Sequence, residues 1–473
     1  MNDLHTKGAG ELAALIASGQ VTSVQVVQAH LARIAEVNPE INAITVTLAD
    51  EALAAAAEVD RAVAAGEKLG PLAGVPFSVK ENIDVAGSAT TWGSAALAGQ
   101  IASMDAPMVA RLREAGAIPV ARTNLPDFAF RWDTVSSRAG RTRNPWDLTR
   151  TPGGSSGGEA ATSATGMTPF GLGNDLGGSL RIPAQMCGVS SLRPSRGRVA
   201  DAAVTQPGAT TPLAFQVTNT QGPVARKVAD LRLVLDVISA PDPDGRDPQW
   251  VPAPLETGRT NRPVRVAVVR DPLGGGIDPQ VRAGIDRAAG FLADAGYEVV
   301  DAEPPMLAEA TKAWVEAVWA DLGLLLPSMA PITGEEQARF VGACLENGVF
   351  APVDQPAALH AWIAVHQLGA AWAKFFTDFP IILAPVSCER PWVHLDDISR
   401  ISELVFACRM LWPVNILGLP ACTVPVGADE GLPQAVQLIG GRFTEHLLLD
   451  AGQVIEDRVP ALTPISPRVP VMA

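Results

Sequence analysis

Three stretches carry residues whose types and spacing could do chemistry. They are T-P-G-G-S-S-G-G-E-A at 151–160, G-L-G-N-D-L-G-G-S-L-R-I-P-A-Q-M-C-G at 171–188, and G-V-P-F-S-V-K-E-N at 74–82. Glycine is entropically costly inside regular structure, so four glycines within ten residues need a reason. For the first run three readings compete: a flexible loop, a nest of backbone N–H groups around an anion, and a turn that presents a reactive serine.

G-x-S-x-G occurs twice in that run, through Ser155 and through Ser156, which is the nucleophile-elbow pattern of α/β-hydrolases. Such an elbow needs a downstream histidine, and His360, His366, His394 and His446 are available. It must also follow a buried strand, and the preceding T-R-N-P-W-D-L-T-R-T-P (142–152) is polar with two prolines, which suits a loop. The second cluster argues further against the elbow. Gly177 and Gly178 precede Ser179, and consecutive glycines let successive N–H groups converge on one point, as an oxyanion hole requires. Lys80 follows a short apolar run, where burial would let its amine lose a proton more readily than in water.

These blocks resemble the amidase signature family of serine hydrolases. The resemblance rests on "GVPFSVKENIDVAG", "ARTNLPDFA", "RTRNPWD", "PGGSSGGEA", "GNDLGGSLRIPAQMCGVSSLRPSRGRV" and "NILGLPACTVPVG", and spans most of residues 10–456. It implies a Ser–Ser–Lys triad: Ser179 as nucleophile, Ser155 as bridging serine on a non-proline cis peptide, and Lys80 as base. It also implies an oxyanion hole from the N–H groups of Leu176, Gly177, Gly178 and Ser179, and leaves Ser156 a structural part. The chemistry is coherent. An ordinary lysine, with a pKa near 10.4, is protonated at neutral pH and cannot act as a base. Burial with few nearby carboxylates would correct this, and the neutral amine would draw a proton from Ser155, which draws one from Ser179. The proton then returns to the leaving nitrogen.

The neighbours take plainer roles. Asp175 and Arg181 read as a structural ion pair, Glu159 as a brace for the helix after the glycine run, and Cys187 as a packed core thiol. Phe128, Phe130 and Trp132 lie in the segment that borders the acyl site in the family, and Trp314 is a further candidate wall. The resemblance implies hydrolysis of a carboxamide to carboxylate plus ammonia or amine, on a small apolar or aromatic acyl group. The alternative is the glutamine-hydrolysing component of an aspartyl/glutamyl-tRNA amidotransferase. That component carries R-Q-P after the nucleophile, whereas this chain has Arg181-Ile182-Pro183, which favours a stand-alone amidase. Neither a cofactor nor a metal is called for.

The elements that must position these residues read as α/β. Residues 1–66 look helical: Thr22 and Gln25 have capping-box spacing, and a second helix is expected from about 50 to 65. Residues 73–87 read as strand, loop, strand. Residues 105–124 read as a helix capped by Asp105, a stop at Gly116 and a strand, and residues 264–300 as β-α-β with a helix opened by Asp278 and Pro279. Residues 239–263 hold six prolines and read as a surface crossing, and 305–376 are helical. One large domain over 1–473 is expected: a mixed, twisted central sheet with helices on both faces, a core over 67–238 and its second half over 264–473. With 47% apolar and 18% charged residues and a net charge of −14, the chain is globular and offers no basic excess for nucleic acid. Five cysteines without C-x-x-C spacing fit a reducing cytoplasm. No run approaches 18 apolar residues, so no membrane partner is expected, and the reading leaves room for a homodimer.

Overall fold

Short runs buried along their whole length build one large sheet. The computed structural model describes residues 3–202, 211–242, 245–253, 263–349 and 352–468. In chain order its strands are β1 (Ile44–Thr47), β2 (Pro76–Lys80), β3 (Ile118–Thr123), β4 (Val135–Ser136), β5 (Gly140–Arg141), β6 (Phe170–Asp175) and β7 (Ser190–Arg193). There follow β8 (Thr220–Ala225), β9 (Arg265–Val268), β10 (Glu298–Asp301), β11 (Ile381–Ala384), β12 (Ala421–Asp429) and β13 (Leu432–Gly440). Eleven of them form a sheet in the order β1-β3-β2-β6-β8-β7-β12-β13-β11-β9-β10, while β4 and β5 make a separate hairpin. Strand β2 runs parallel to β3 and β6, and β9 parallel to β10 and β11, whereas the central pairs are antiparallel.

Alternate residues of one strand enter different cores. Val266 and Val268 join the core on one side with Ile381 and Leu383, while Ala267, Ile382 and Ala384 join another cluster. A sheet buried on both faces must be covered on both, which explains strands that are buried throughout, such as β2, β3, β6 and β13. The mixed α/β architecture is therefore the one expected from sequence.

Local signals held where their chemistry was complete. Thr22 and Gln25 form a full capping box at the start of the helix Ser23–Ile41, and Asp278 accepts from Gln280 N–H at 2.8 Å to open the helix Pro279–Asp294. The second N-terminal helix spans Ala49–Ala64. Other readings need correction. The helical reading of 1–66 omits β1, which pairs with β3. No strand follows β2 within 81–87. Asp105 does not cap its helix: Ala106 occupies that position, and the Asp105 carboxylate accepts from Ala86 N–H and pairs with Arg113. Of the crossing at 239–263, residues 243–244 and 254–262 lie outside the described residues. The helix Leu307–Met329, with the turn to Ile332, is long and apolar enough to cross a membrane by length and composition. Its first half packs into the core, where Trp314, Val318, Trp319 and Leu322 are buried, but only 22% of its most apolar window is buried and Leu324 is exposed.

Candidate active site

Parallel pairing of β2 with β6, in the register Ser78 to Gly171 and Val79 to Leu172, brings the carboxyl ends of the two strands together. Lys80 ends β2 and Asp175 ends β6, with Asn174 just before it. The glycine-rich run leads into the helix Gly157–Ala164, which packs over the same strands. Glu159, in its first turn, is the pin. Its carboxylate accepts from Ser78 on β2, through a short contact, and from Thr123 on β3 at 2.7 Å. A Cβ at position 171 would collide with that carboxylate and with the Ser78 hydroxyl, so glycine gives the pin its room. Glu159 thus braces two strands as well as its own helix, and burial pushes its carboxyl up to about 7.

Lys80 is wholly buried, and its Nζ lies 2.7 Å from Ser155 Oγ, 3.0 Å from Ser156 Oγ and 2.7 Å from Asn174 Oδ1. Burial lowers its pKa from 10.5 to about 7, against the opposing fields of Glu159 and Asp175. The Gly154–Ser155 peptide is cis. The run at 151–160 meets the second cluster through its backbone: Ser156 N–H donates to the Ser179 carbonyl at 3.2 Å. The Ser155 and Ser179 hydroxyls make no hydrogen bond to each other among the described residues, and Ser179 is 8% exposed beside a cavity. Lys80 and Ser155 are therefore in direct contact, with Ser179 joined to the pair through the Ser156 main chain.

The loop 176–179 is fixed by a buried ion pair. Arg181 Nε and Nη2 donate to Asp175 at 3.0 and 3.1 Å, as the sequence suggested. Arg193 and the Asn415 amide also face Asp175, and together these partners hold its carboxyl far below the usual range. The structure differs from expectation at Gly178, whose N–H already donates to Asp175 Oδ1 at 2.8 Å. That leaves the N–H groups of Leu176, Gly177 and Ser179, which have no partner among the described residues. Trp314 Nε1 donates to the Leu176 carbonyl at 3.1 Å, and the Trp314 ring lies so close to Gly177 that a Cβ would approach it to 2.9 Å.

Beside Ser179 is a cavity of about 40 Å³ walled by Phe130, Trp132, Trp314, Phe340 and Trp412. Trp412 packs on Trp314 (centroids 4.4 Å apart) and on Trp132 (5.6 Å). Three of the four predicted wall residues are therefore present. Phe128 is not: its backbone turns at φ 59° and its N–H donates to the Trp92 carbonyl, so its ring is absent from the lining. Trp412 and Phe340 were missed. Trp412 sits three residues before the "NILGLP" block, a placement that could have flagged it; Phe340 lies in a helix with no signal. Arg131 also borders the cavity, but Asp397 accepts from it at 2.7 and 3.0 Å and Glu336 at 3.1 Å, so its charge is spent. A larger open cleft, about 580 Å³, contains none of the predicted site residues, and its charges pair internally, as in Arg390–Asp278 and Arg400–Glu389.

The histidine readings fail on geometry. His394 Nδ1 pairs with buried Asp133 at 3.0 Å, and no histidine hydrogen-bonds Ser155, Ser156 or Ser179 among the described residues. Cys187 is buried with its thiol pushed far up by desolvation, which makes it inert. Among the described residues no cluster of three His, Cys, Asp or Glu side chains is set to hold a metal.

Comparison with known proteins agrees with this geometry. The Amidase family model matches residues 25–449. The chain belongs to the amidase family. It is a hydrolase of carbon–nitrogen bonds in amides other than peptides. It is 40% identical over 460 residues to an indoleacetamide hydrolase of Bradyrhizobium diazoefficiens, covering 96% of this chain and 86% of that one. To a glutamyl-tRNA(Gln) amidotransferase component of Acidothermus cellulolyticus it is 33% identical over 493 residues, covering 96% and 95%. Among solved structures it superposes on a bacterial aryl acylamidase of the amidase signature family with a TM-score of 0.82 at 26% identity, covering 97% and 96%.

Proposed function

We propose that this amidase hydrolyses a small amide with an aromatic or apolar acyl group, of the arylacetamide kind, through an acyl-enzyme on Ser179. The observation that carries the reading is an aromatic cavity lined by Ser179, whose carbonyl accepts from Ser156 N–H next to the Lys80–Ser155 contact. The uncharged Lys80 amine takes the Ser155 proton as Ser155 takes that of Ser179, and Ser179 Oγ attacks the carbonyl carbon. Negative charge on the carbonyl oxygen is met by the N–H groups of Leu176, Gly177 and Ser179. The proton returns along the same path to the amide nitrogen, the C–N bond breaks, and ammonia or an amine departs. Water repeats the sequence on the acyl-enzyme and releases the carboxylic acid.

The relative named for indoleacetamide supports an aryl group on the acyl side. A cavity of about 40 Å³ holds little more than a water molecule or two, so an indole or phenyl ring enters only as the aromatic walls part. The test is an amide panel (acetamide, benzamide, phenylacetamide, indoleacetamide and glutamine) on the purified chain, with Ser179→Ala beside it. The aryl amides are turned over, glutamine is not, and Ser179→Ala lowers kcat by on the order of 10³-fold or more. Fluorophosphonate labelling mapped to Ser155 or Ser156, with Ser179 unmodified, overturns the assignment.

A further inference from the structure

We propose that Asn174 is the positioning residue of the Lys80 base, its side-chain and main-chain oxygens together fixing which way the lone pair of the amine faces. The inference rests on the Lys80–Ser155–Ser179 reading above and asks what makes that proton path directional.

A neutral amine has two N–H donors and one lone pair, and three oxygens surround Lys80 Nζ at hydrogen-bond distance. Asn174 Oδ1 can only accept, so one N–H goes there. Its orientation is set from outside, because Asn174 Nδ2 donates to Asn82 Oδ1 at 3.1 Å. Ser156 Oγ is also committed: its O–H donates to the Asn174 main-chain carbonyl at 3.3 Å, so it meets Lys80 as an acceptor and takes the second N–H. Ser155 is the one oxygen of the three left with a free hydrogen to give, and the lone pair faces it. Asn174 thus acts twice, once through its side chain and once by turning the Ser156 hydroxyl. When Lys80 takes the Ser155 proton it becomes an ammonium with three N–H groups and three acceptors. The charged state is then fully satisfied without any side chain turning.

Rotation of the amine would waste this arrangement. Without an acceptor at Asn174 Oδ1, an N–H can turn to Ser155 and the lone pair to a position with no proton to collect. The charged groups that face Lys80 are Glu159 and Asp175, and both favour the ammonium form. A carboxylate at position 174 would join them at closer range.

The experiment measures the rate of fluorophosphonate labelling of Ser179 from pH 5 to 10, together with kcat and KM for phenylacetamide. The variants are Asn174→Leu, Asn174→Asp, Asn82→Ala and Lys80→Met. In labelling, the P–F bond breaks, a P–O bond forms at Ser179, fluoride leaves and the hydroxyl proton passes toward Lys80. Asn174→Leu is expected to lower the high-pH plateau and kcat by about 10- to 100-fold with KM little changed, and Asn82→Ala to do so more weakly. Asn174→Asp, nearly isosteric, is expected to move the acidic limb up by about one pH unit or more and to recover activity in alkali. A plain loss of stability would not move that limb. Should Asn174→Leu fail to fold, the limb of Asn174→Asp decides. Wild-type plateau and limb in both Asn174 variants, with Lys80→Met inactive, overturns this inference and leaves the triad standing. Wild-type labelling by Lys80→Met overturns the triad and this inference with it.

Discussion

Lowering the Lys80 pKa from 10.5 to about 7 has a measurable signature in the pH–rate profile. At pH 7 an ordinary lysine is neutral in roughly three molecules per ten thousand, whereas one titrating near 7 is neutral in about half, a gain on the order of 10³ in working base. The corresponding differential free energy is about 5 kcal/mol, supplied by desolvation of a wholly buried ammonium. With Lys80 as the proposed base the neutral form is the active one, so kcat/KM is expected to rise about tenfold per pH unit below 7 and to level off above 8. The fold carries the opposite cost. A base whose folded pKa is depressed contributes its full stability above 10.5, and that contribution is lost as pH falls towards 7.

The assay is ammonia release from phenylacetamide between pH 5 and 10 at constant ionic strength, with thermal melts at each pH to show that the fold persists. A break near 7 supports the buried lysine. A profile flat from pH 6 to 9, or one still climbing through pH 10, refutes the reasoning, the first by removing the base and the second by removing its desolvation. In Lys80→Met, hydrolysis disappears, and the stability loss between pH 10 and 7 shrinks along with it.

Glu159→Gln removes a charge that favours the Lys80 ammonium, so the acidic limb of kcat/KM moves to lower pH; an unmoved or raised limb contradicts the electrostatics. Asp175→Asn leaves the buried Arg181 and Arg193 without their carboxylate, and denaturant unfolding should show a loss of about 3–5 kcal/mol. Gly177→Ala forces a methyl to 2.9 Å from Trp314 and 3.3 Å from Trp412, costing about 1–3 kcal/mol of stability and depressing kcat for all substrates alike. Trp412→Phe enlarges the cavity, so the kcat/KM ratio of indoleacetamide to acetamide changes while labelling of Ser179 by a small fluorophosphonate does not. All five cysteines are buried, so Ellman's reagent should titrate none in the native protein and five after denaturation.

The parts of the site most legible in the sequence were those with their partners close in the chain or in a dense motif. Thr22 and Gln25, or Asp278 and Pro279, fix a helix start within four residues, and Asp175 finds Arg181 six residues on. Ser155 and Ser179 stand out because each lies in a block too rich in glycine and serine to be ordinary structure, and Lys80 because it follows a short apolar run in a block that resembles the family's. Strand β1 pairs along β3, and its Ile-Thr-Val-Thr alternation of β-branched residues is a strand signal that a helical reading of 1–66 passes over. What sequence did not show depends on distant packing. Phe128 is two residues from Phe130 in sequence, but its backbone turns at a positive φ and only Phe130 lines the cavity. Phe340 reaches the cavity from a helix more than 150 residues beyond Ser179, and Gly178 N–H was counted toward the oxyanion hole without regard to the Asp175 carboxylate three residues before it.

Asp175 also bears on why the lysine can be uncharged at all. A bare carboxylate so near would hold the ammonium in place, and the base would be lost. Here Asp175 faces Arg181 in a bidentate pair and Arg193 behind it, so much of its field is cancelled before it reaches Lys80. Glu159, the other carboxyl nearby, is pushed by burial to about 7 and is therefore partly protonated where the enzyme must work. Desolvation can then dominate at Lys80 even with two acids in its surroundings. The same Asp175 carboxylate holds the Gly178 and Leu180 N–H groups, so the residue that shapes the loop bearing Ser179 is also one whose pairing with Arg181 and Arg193 weakens the field at Lys80.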